Sequence, residues 1–200
     1  MNEGIFFLWL CWLLWTYATF LMKKTHSLRV FIASSSLIAI ILSNKFVEMY
    51  ELNVNVSLIY LVSIGIWLLK ESSIKEIIYC FLTVVLYSSI KIYYLVDPIL
   101  FFYQEKLFLV VGSTALLLLF FNGWKNRIGS LFLMIGLGEF IFAMIIKNYL
   151  EETYSLGLEV LDMYSAVFLC VSVVYLYGIF IAESKKLVMQ KKKTVKNSGL

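Results

Sequence analysis

IGSLFLMIGLGEFIFAMII, residues 128–146, is the stretch that decides the fold class. It runs between Arg127 and Lys147 and holds a single charged side chain, Glu139. As a helix rising 1.5 Å per residue it is about 28 Å long, close to the hydrocarbon thickness of a bilayer. Glu139 falls on the order of 16 Å from the Arg127 end, near the midplane of such a slab.

The stretch is representative of its surroundings. Of the 200 residues 62% are hydrophobic and 15% charged, whereas a soluble domain carries about a quarter charged residues. A soluble fold of this size cannot hide so much apolar surface. The composition therefore points to an all-α, polytopic transmembrane helix bundle, and nothing in it suggests a soluble domain joined through a Pro/Gly/Ser linker.

Working outward from 128–146, six more apolar runs qualify as spans, a shorter run being tolerated where lysines snorkel or the bilayer thins. They are 4–22, 30–47, 54–69, 77–95, 107–121 and 163–182, which makes about seven helices in one domain, 1–184, followed by a basic tail, 185–200. The second reaches residue 47 only if Lys45 snorkels to the headgroups. The fourth contains Lys91 and is expected to stop at Asp97-Pro98, because proline lacks a donor and disfavours helix at the residue before it. The fifth is expected to stop at the turn signal Asn122-Gly123. The first has Glu3 before it and Lys23, Lys24 and Arg29 after it, the reverse of a secretory signal, so it is expected to remain as a helix. No internal repeat is evident.

Basic residues set the orientation. With the amino terminus outside, the cytoplasmic side holds Lys23, Lys24, Arg29, Lys70, Lys75, Lys125, Arg127 and the six lysines of 185–196, 13 of the 17 Lys and Arg residues. Lys45, Lys91, Lys106 and Lys147 are left on or near the outside. The carboxyl terminus is then cytoplasmic. In the longest outer connection, 148–162, Leu150, Tyr154, Leu158 and Leu161 share a helical face, so a short interfacial helix and an ordinary loop are both open there.

Glu139 is the principal candidate for function. Intramembrane carboxylates usually face a bundle interior or a water-filled cavity, and Lys91 and Lys45, on neighbouring outward-running helices, are its candidate partners. The functional reading is a proton or cation site. The structural reading, preferred where sequence alone names no partner, is interhelical glue. Gly129, Gly136 and Gly138 fit a close helix contact better than a backbone opening. Trp9, Trp12 and Trp15 recur along one face of the first helix, which suits packing or lipid contact, a quinone or lipid groove being the speculative alternative. Tyr93, Tyr94, Tyr103, Tyr149, Tyr154 and Tyr164 suggest an outer aromatic belt.

Other chemistry finds little support. His26, the single histidine, sits between Lys24 and Arg29 in a short loop, and Cys11, Cys80 and Cys170 lie far apart within apolar runs. A transition-metal site is not expected from that set, and no Walker A, GxSxG, HExxH or dinucleotide motif is present. The net charge of +4 reflects topology and not nucleic acid, because the basic residues sit at span ends and in one tail without interleaved aromatics. The lysine tail will attract anionic headgroups at about 1 kcal/mol per basic residue. Heavy use of Lys, Ile, Asn and Tyr with a single proline, Pro98, is the usage of an AT-rich bacterial genome.

The opening, Trp9, Trp12 and Trp15 leading into Thr19-Phe20-Leu21-Met22-Lys23-Lys24 and then Arg29, resembles the YphA-like family of small integral membrane proteins from Bacillus and relatives. The resemblance implies a plasma membrane location and brings no assigned activity or site residues. The expectation is thus a non-enzymatic, multi-pass membrane component that scaffolds or regulates partners, with no cofactor and with membrane lipids, and other membrane proteins through helix packing, as its company. The alternative is a small ion- or proton-coupled carrier using Glu139.

Overall fold

A computed structural model of the chain describes residues 3–96, 105–150 and 155–197. Among these are seven α-helices and one β-hairpin. Helix α1, Ile5–Thr16, continues through a π-helical turn, Tyr17–Leu21, and α2 is Leu28–Leu42. Strands β1, Phe46–Met49, and β2, Leu52–Asn55, form the hairpin. Then come α3 (Val56–Leu69), α4 (Ile74–Val96), α5 (Glu105–Phe120), α6 (Trp124–Leu150) and α7 (Leu158–Asn197).

The stretch that opened the sequence reading forms the axis of the bundle. Helices α3, α4, α5 and α7 all pack on α6, and α2 and α1 carry the wall from α3 round to α7. Glycines on α6 set the closeness of this packing. A Cβ on Gly129 would stand 2.9 Å from Leu69 Cγ, and one on Gly65 of α3 would stand 2.9 Å from the Gly129 carbonyl oxygen. The small-residue contact expected of Gly129 is therefore present, and it joins α3 to α6.

Local sequence explains where helices begin. Ser73 and Glu76 make a capping box at the head of α4: the Ser73 amide donates to Glu76 Oε2 at 2.9 Å and the Glu76 amide to Ser73 Oγ at 3.4 Å. Asn55 caps α3, its Oδ1 accepting from the Ser57 amide at 2.9 Å. Helix α1 has no cap of its own. Asp162 of α7 supplies one from across the bundle, accepting the Gly4 amide at 2.9 Å and the Phe7 amide at 3.0 Å. At the other end of α1, Arg29 donates to the Ala18 and Thr19 carbonyls at 2.9 and 2.7 Å, which serves oxygens left free where the helix widens and stops.

Contacts at the two ends show that consecutive helices alternate in direction. Asp162 on Gly4, Lys106 on Glu159 and Lys147 on Glu51 gather the starts of α1, α5 and α7 with the end of α6 and the hairpin. At the opposite end Lys125 bonds Glu71 and Asn126 bonds Glu76, bringing the end of α3 to the starts of α4 and α6. Helices α4, α6 and α7 contain stretches long and apolar enough to cross a membrane, Ile74–Val96, Trp124–Tyr149 and Leu158–Lys185. The apolar helices Ile5–Leu21, Leu28–Leu42, Val56–Leu69 and Lys106–Phe120 are shorter.

The structure departs from the sequence reading in three places, at the second helix, at Lys45 and at Tyr164. The second helix stops at Leu42, and 46–55 is a hairpin, so the fold is not purely α-helical. Lys45 consequently sits exposed at the head of β1 and not at a helix end. Of 148–162, where a helix and a loop are both open to the sequence, the described residues show α6 running to Leu150, α7 starting at Leu158 and Leu156 bridging Val54 in parallel, with residues 151–154, Tyr154 included, outside the described residues. Tyr164 is buried in the core and not part of a belt, whereas Tyr93 and Tyr149 are exposed. Helix α7 continues to Asn197, through most of the basic tail, to which the sequence assigns no structure of its own. The expected stop at Asp97-Pro98, and Tyr103, lie outside the described residues.

The hairpin explains the early end of α2. Asn55 Nδ2 donates to the Ser43 carbonyl at 2.6 Å and the Val56 amide to the Lys45 carbonyl at 2.9 Å, so the chain leaving α2 is bound by the residues that start α3. Leu156 adds a third backbone, its amide donating to Asn53 O at 2.9 Å and its carbonyl accepting from Asn55 N at 3.0 Å. The turn is strained, because Tyr50 and Glu51 both adopt positive φ, 54° and 62°. A two-residue primed turn needs that geometry and normally recruits Asn-Gly. Lys147 holds it, donating to the Tyr50 carbonyl at 2.8 Å and pairing with Glu51 at 2.6 Å, which lowers the Glu51 carboxyl below its ordinary range.

Since left-handed backbone costs a non-glycine residue about 1–2 kcal/mol, Tyr50→Asn/Glu51→Gly is expected to stabilise the protein. The lost Lys147 pair is exposed and worth little. A gain of about 1 kcal/mol would raise the thermal midpoint in detergent by roughly 2–4 °C. An unchanged or lower midpoint would remove the strain argument.

Candidate functional site

Helix α4 buries Cys80, Thr83, Val84, Tyr87, Ser88 and Lys91. These positions recur at three- and four-residue spacing and so share the face turned into the bundle. Lys91 therefore points inward although it is a lysine. On α6, Gly138, Glu139 and Phe142 come to meet it.

Glu139 is 1% exposed and Lys91 7%. Lys91 Nζ lies 2.8 Å from each oxygen of the Glu139 carboxylate. Tyr87, one turn before Lys91, donates its hydroxyl to Glu139 Oε1 at 2.6 Å. The ammonium also stands 4.3 Å from the centroid of the Phe142 ring, one turn along α6 from the glutamate. The carboxylate thus accepts from Lys91 and Tyr87, and the ammonium meets both the carboxylate and a ring face.

Two glycines make room for it. A Cβ on Gly138 would stand 2.5 Å from Tyr87 Cδ1, so the phenol reaches the carboxylate only because that position has no side chain. A Cβ on Gly136 would collide with Val62 of α3 and with the Tyr164 hydroxyl of α7. That hydroxyl donates to the Phe132 carbonyl at 2.7 Å. One turn of α6 thus receives α3, α4 and α7 together.

Energetics decide what the set does to the fold. An isolated charge in an apolar interior is costly, and a buried pair balances that cost only when its geometry is good and its remaining hydrogen-bonding capacity is used. Here Lys91 meets both carboxylate oxygens at 2.8 Å and Tyr87 adds a third bond at 2.6 Å. Among the candidate residues the structure brings together Glu139 and Lys91 but not Lys45, which lies exposed at the hairpin. Tyr87 and Phe142 escaped the sequence reading, although the four-residue spacing from Tyr87 to Lys91 was a signal that both share a face. Trp9 and Trp12 are exposed, and Trp12 meets Trp15 edge-on at 5.4 Å. His26 sits in the loop before α2, its Nδ1 accepting the Leu28 amide at 3.3 Å. Among the described residues no group of three His, Cys, Asp or Glu could hold a metal ion.

A helical bundle with apolar spans, an outward apolar surface and a charge pair sealed at its centre is built for a membrane and not for water. The family model described as YphA-like integral membrane protein matches residues 3–198. The chain belongs to that family, as its opening motif suggested. No curated protein and no solved structure matches it.

Removing either charge strands the other. Lys91→Met or Glu139→Leu alone is expected to destabilise by about 3–5 kcal/mol, whereas the double variant should recover most of that loss. Unfolding by graded SDS in mixed micelles measures all three. Additive losses in the double variant would mean that the two side chains are not energetically coupled.

Proposed function

We propose that the protein is a seven-span component of the plasma membrane, amino terminus outside and carboxyl terminus cytoplasmic, that scaffolds or regulates other membrane proteins without catalysis. The carrying observation is the burial of the Lys91–Glu139 pair between α4 and α6. Glu139 is engaged by Lys91 and Tyr87 and is 1% exposed, so it serves as a pin between α4 and α6 and not as a port for an ion. What the protein offers its surroundings is apolar helix surface, the hairpin at one end and the lysines beyond residue 184 at the other.

Support for the topology comes from two directions. The helices alternate, and the basic residues Lys23, Lys24, Arg29, Lys70, Lys75, Lys125 and Arg127 fall at the end away from the hairpin. An excess of Lys and Arg marks the cytoplasmic side. Four helices are shorter than about 20 residues, which spans tolerate where the bilayer adapts.

Single cysteines at Glu3 and Gly199, in a background with Cys11, Cys80 and Cys170 replaced, test the arrangement in cells. The first should react with an impermeant maleimide and the second only after permeabilisation; reaction of both from one side would require an even number of spans. The pin reading is tested separately in proteoliposomes carrying a pH gradient. Wild type and Glu139→Gln should dissipate the gradient at the same rate. A flux that wild type supports and Glu139→Gln abolishes would make the protein a proton-coupled carrier. Affinity purification from the native membrane should recover partner proteins in stoichiometric amount.

A further inference from the structure

The lipid-facing wall is uneven in height. Helix α2 has 15 residues and α3 has 14, lengths of about 22 and 21 Å against a hydrocarbon core of about 30 Å. Helix α1 adds 12 α-helical and 5 π-helical residues, no more than about 25 Å. These three helices are neighbours and form one continuous side. Beyond it α4 and α7 carry apolar stretches of 23 and 28 residues, with the shorter α5 packed against both and α6 at the axis.

The short side cannot gain height from what lies at its ends. At one end Arg29 is fixed to the Ala18 and Thr19 carbonyls, with Lys23, Lys24 and Lys70 beside it in the chain ends. At the other stands the hairpin. Its strand β1 is an edge strand, exposed along its whole length, and carries Glu48. Open sheet edges are not tolerated in hydrocarbon, because their amides and carbonyls lose water without gaining partners. The hairpin therefore sits at the headgroups, with exposed Phe46, Val47 and Met49 dipping no deeper than the interface. Polar structure brackets α2 and α3 closely on both sides, while their outer faces, Val30, Ile41, Ile66 and Trp67 among them, remain apolar and exposed.

We propose that the α1–α3 face is a lipid-binding surface selective for phospholipids with short acyl chains, so that the bilayer is thinner on that side than around α4 and α7. This rests on the reading that α1 to α3 span. Mismatch of this size costs fractions of a kcal/mol per ångström, and chains matched to the short wall relieve it.

The protein carries its own probes for this. Trp9, Trp12 and Trp67, on α1 and α3, are 67%, 47% and 55% exposed and face the lipid of the short wall. Tryptophan quenching by brominated phosphatidylcholines of 14 to 22 carbons, in vesicles of the full chain with Trp124, which packs on α7, replaced by phenylalanine, reads their relative binding. Chains of 14 to 16 carbons are expected to bind roughly threefold more tightly than chains of 20 to 22. The opposite wall is read with Tyr177→Trp on α7 in a chain whose five native tryptophans are phenylalanine, and it should prefer longer chains. If that variant fails to fold, the thermal midpoint of the unmodified protein across the same lipids replaces it, and should peak at 16 carbons or fewer. A flat profile from the native tryptophans, one optimum shared by both walls, or a midpoint that keeps rising with chain length overturns the proposal. Single cysteines at Lys24, Glu48 and Lys70, which should label inside, outside and inside in turn, test by themselves whether α1 to α3 span, so the two failures are distinguishable.

Discussion

A charge that cannot leave hydrocarbon must be answered inside it, and the contact between Lys91 and Glu139 is the constraint from which the rest of the packing follows. Both oxygens of the carboxylate meet one ammonium, and Oε1 also accepts from the Tyr87 hydroxyl. That arrangement fixes the register of α4 on α6, because a slide of one turn along either helix would break every one of these bonds. Apolar packing tolerates such slides at modest cost, since lipid tails solvate leucine as well as another helix does. The ion pair supplies the specificity that apolar contact lacks in this solvent.

Glycine supplies the closeness. Three close contacts on α6 sit where a β-carbon is missing: Gly129 under Leu69, Gly136 under Val62 and Tyr164, Gly138 under Tyr87. Dispersion at short range replaces the hydrophobic drive that is absent in lipid. The same helix thus carries the most buried charge and the tightest backbone approaches, and the second makes the first attainable.

How much of this was legible in the sequence varied with the range of the interaction. Glu139 stood out because it interrupts an otherwise uncharged run, and Lys91 because it lies inside another, so both members of the pair could be named before any coordinates. Tyr87 could not, since a tyrosine in an apolar helix is unremarkable until its neighbour's position is known. The hairpin was hidden by its composition: Phe46 and Val47 continue the apolar pattern of α2, and Tyr50-Glu51 carries no Asn-Gly signal, its geometry being imposed from outside by Lys147. Lys45 was drawn towards Glu139 by the same over-long helix. The ends of α1 were illegible for a related reason, because the groups that satisfy them, Asp162 and Arg29, come from other helices.

The Asp162 cap also has a meaning for biosynthesis. The amides of Gly4 and Phe7 are served by a residue that lies 158 and 155 positions later in the chain. At a ribosomal rate of about 5–20 residues per second, α1 waits roughly 8 to 30 seconds for its cap. Lys91 waits for Glu139 over 48 positions, roughly 2 to 10 seconds at the same rate. The nascent protein therefore holds its first helix and its buried lysine incomplete while later segments are still on the ribosome. Closure of the bundle is a late event, set by the arrival of α6 and then α7.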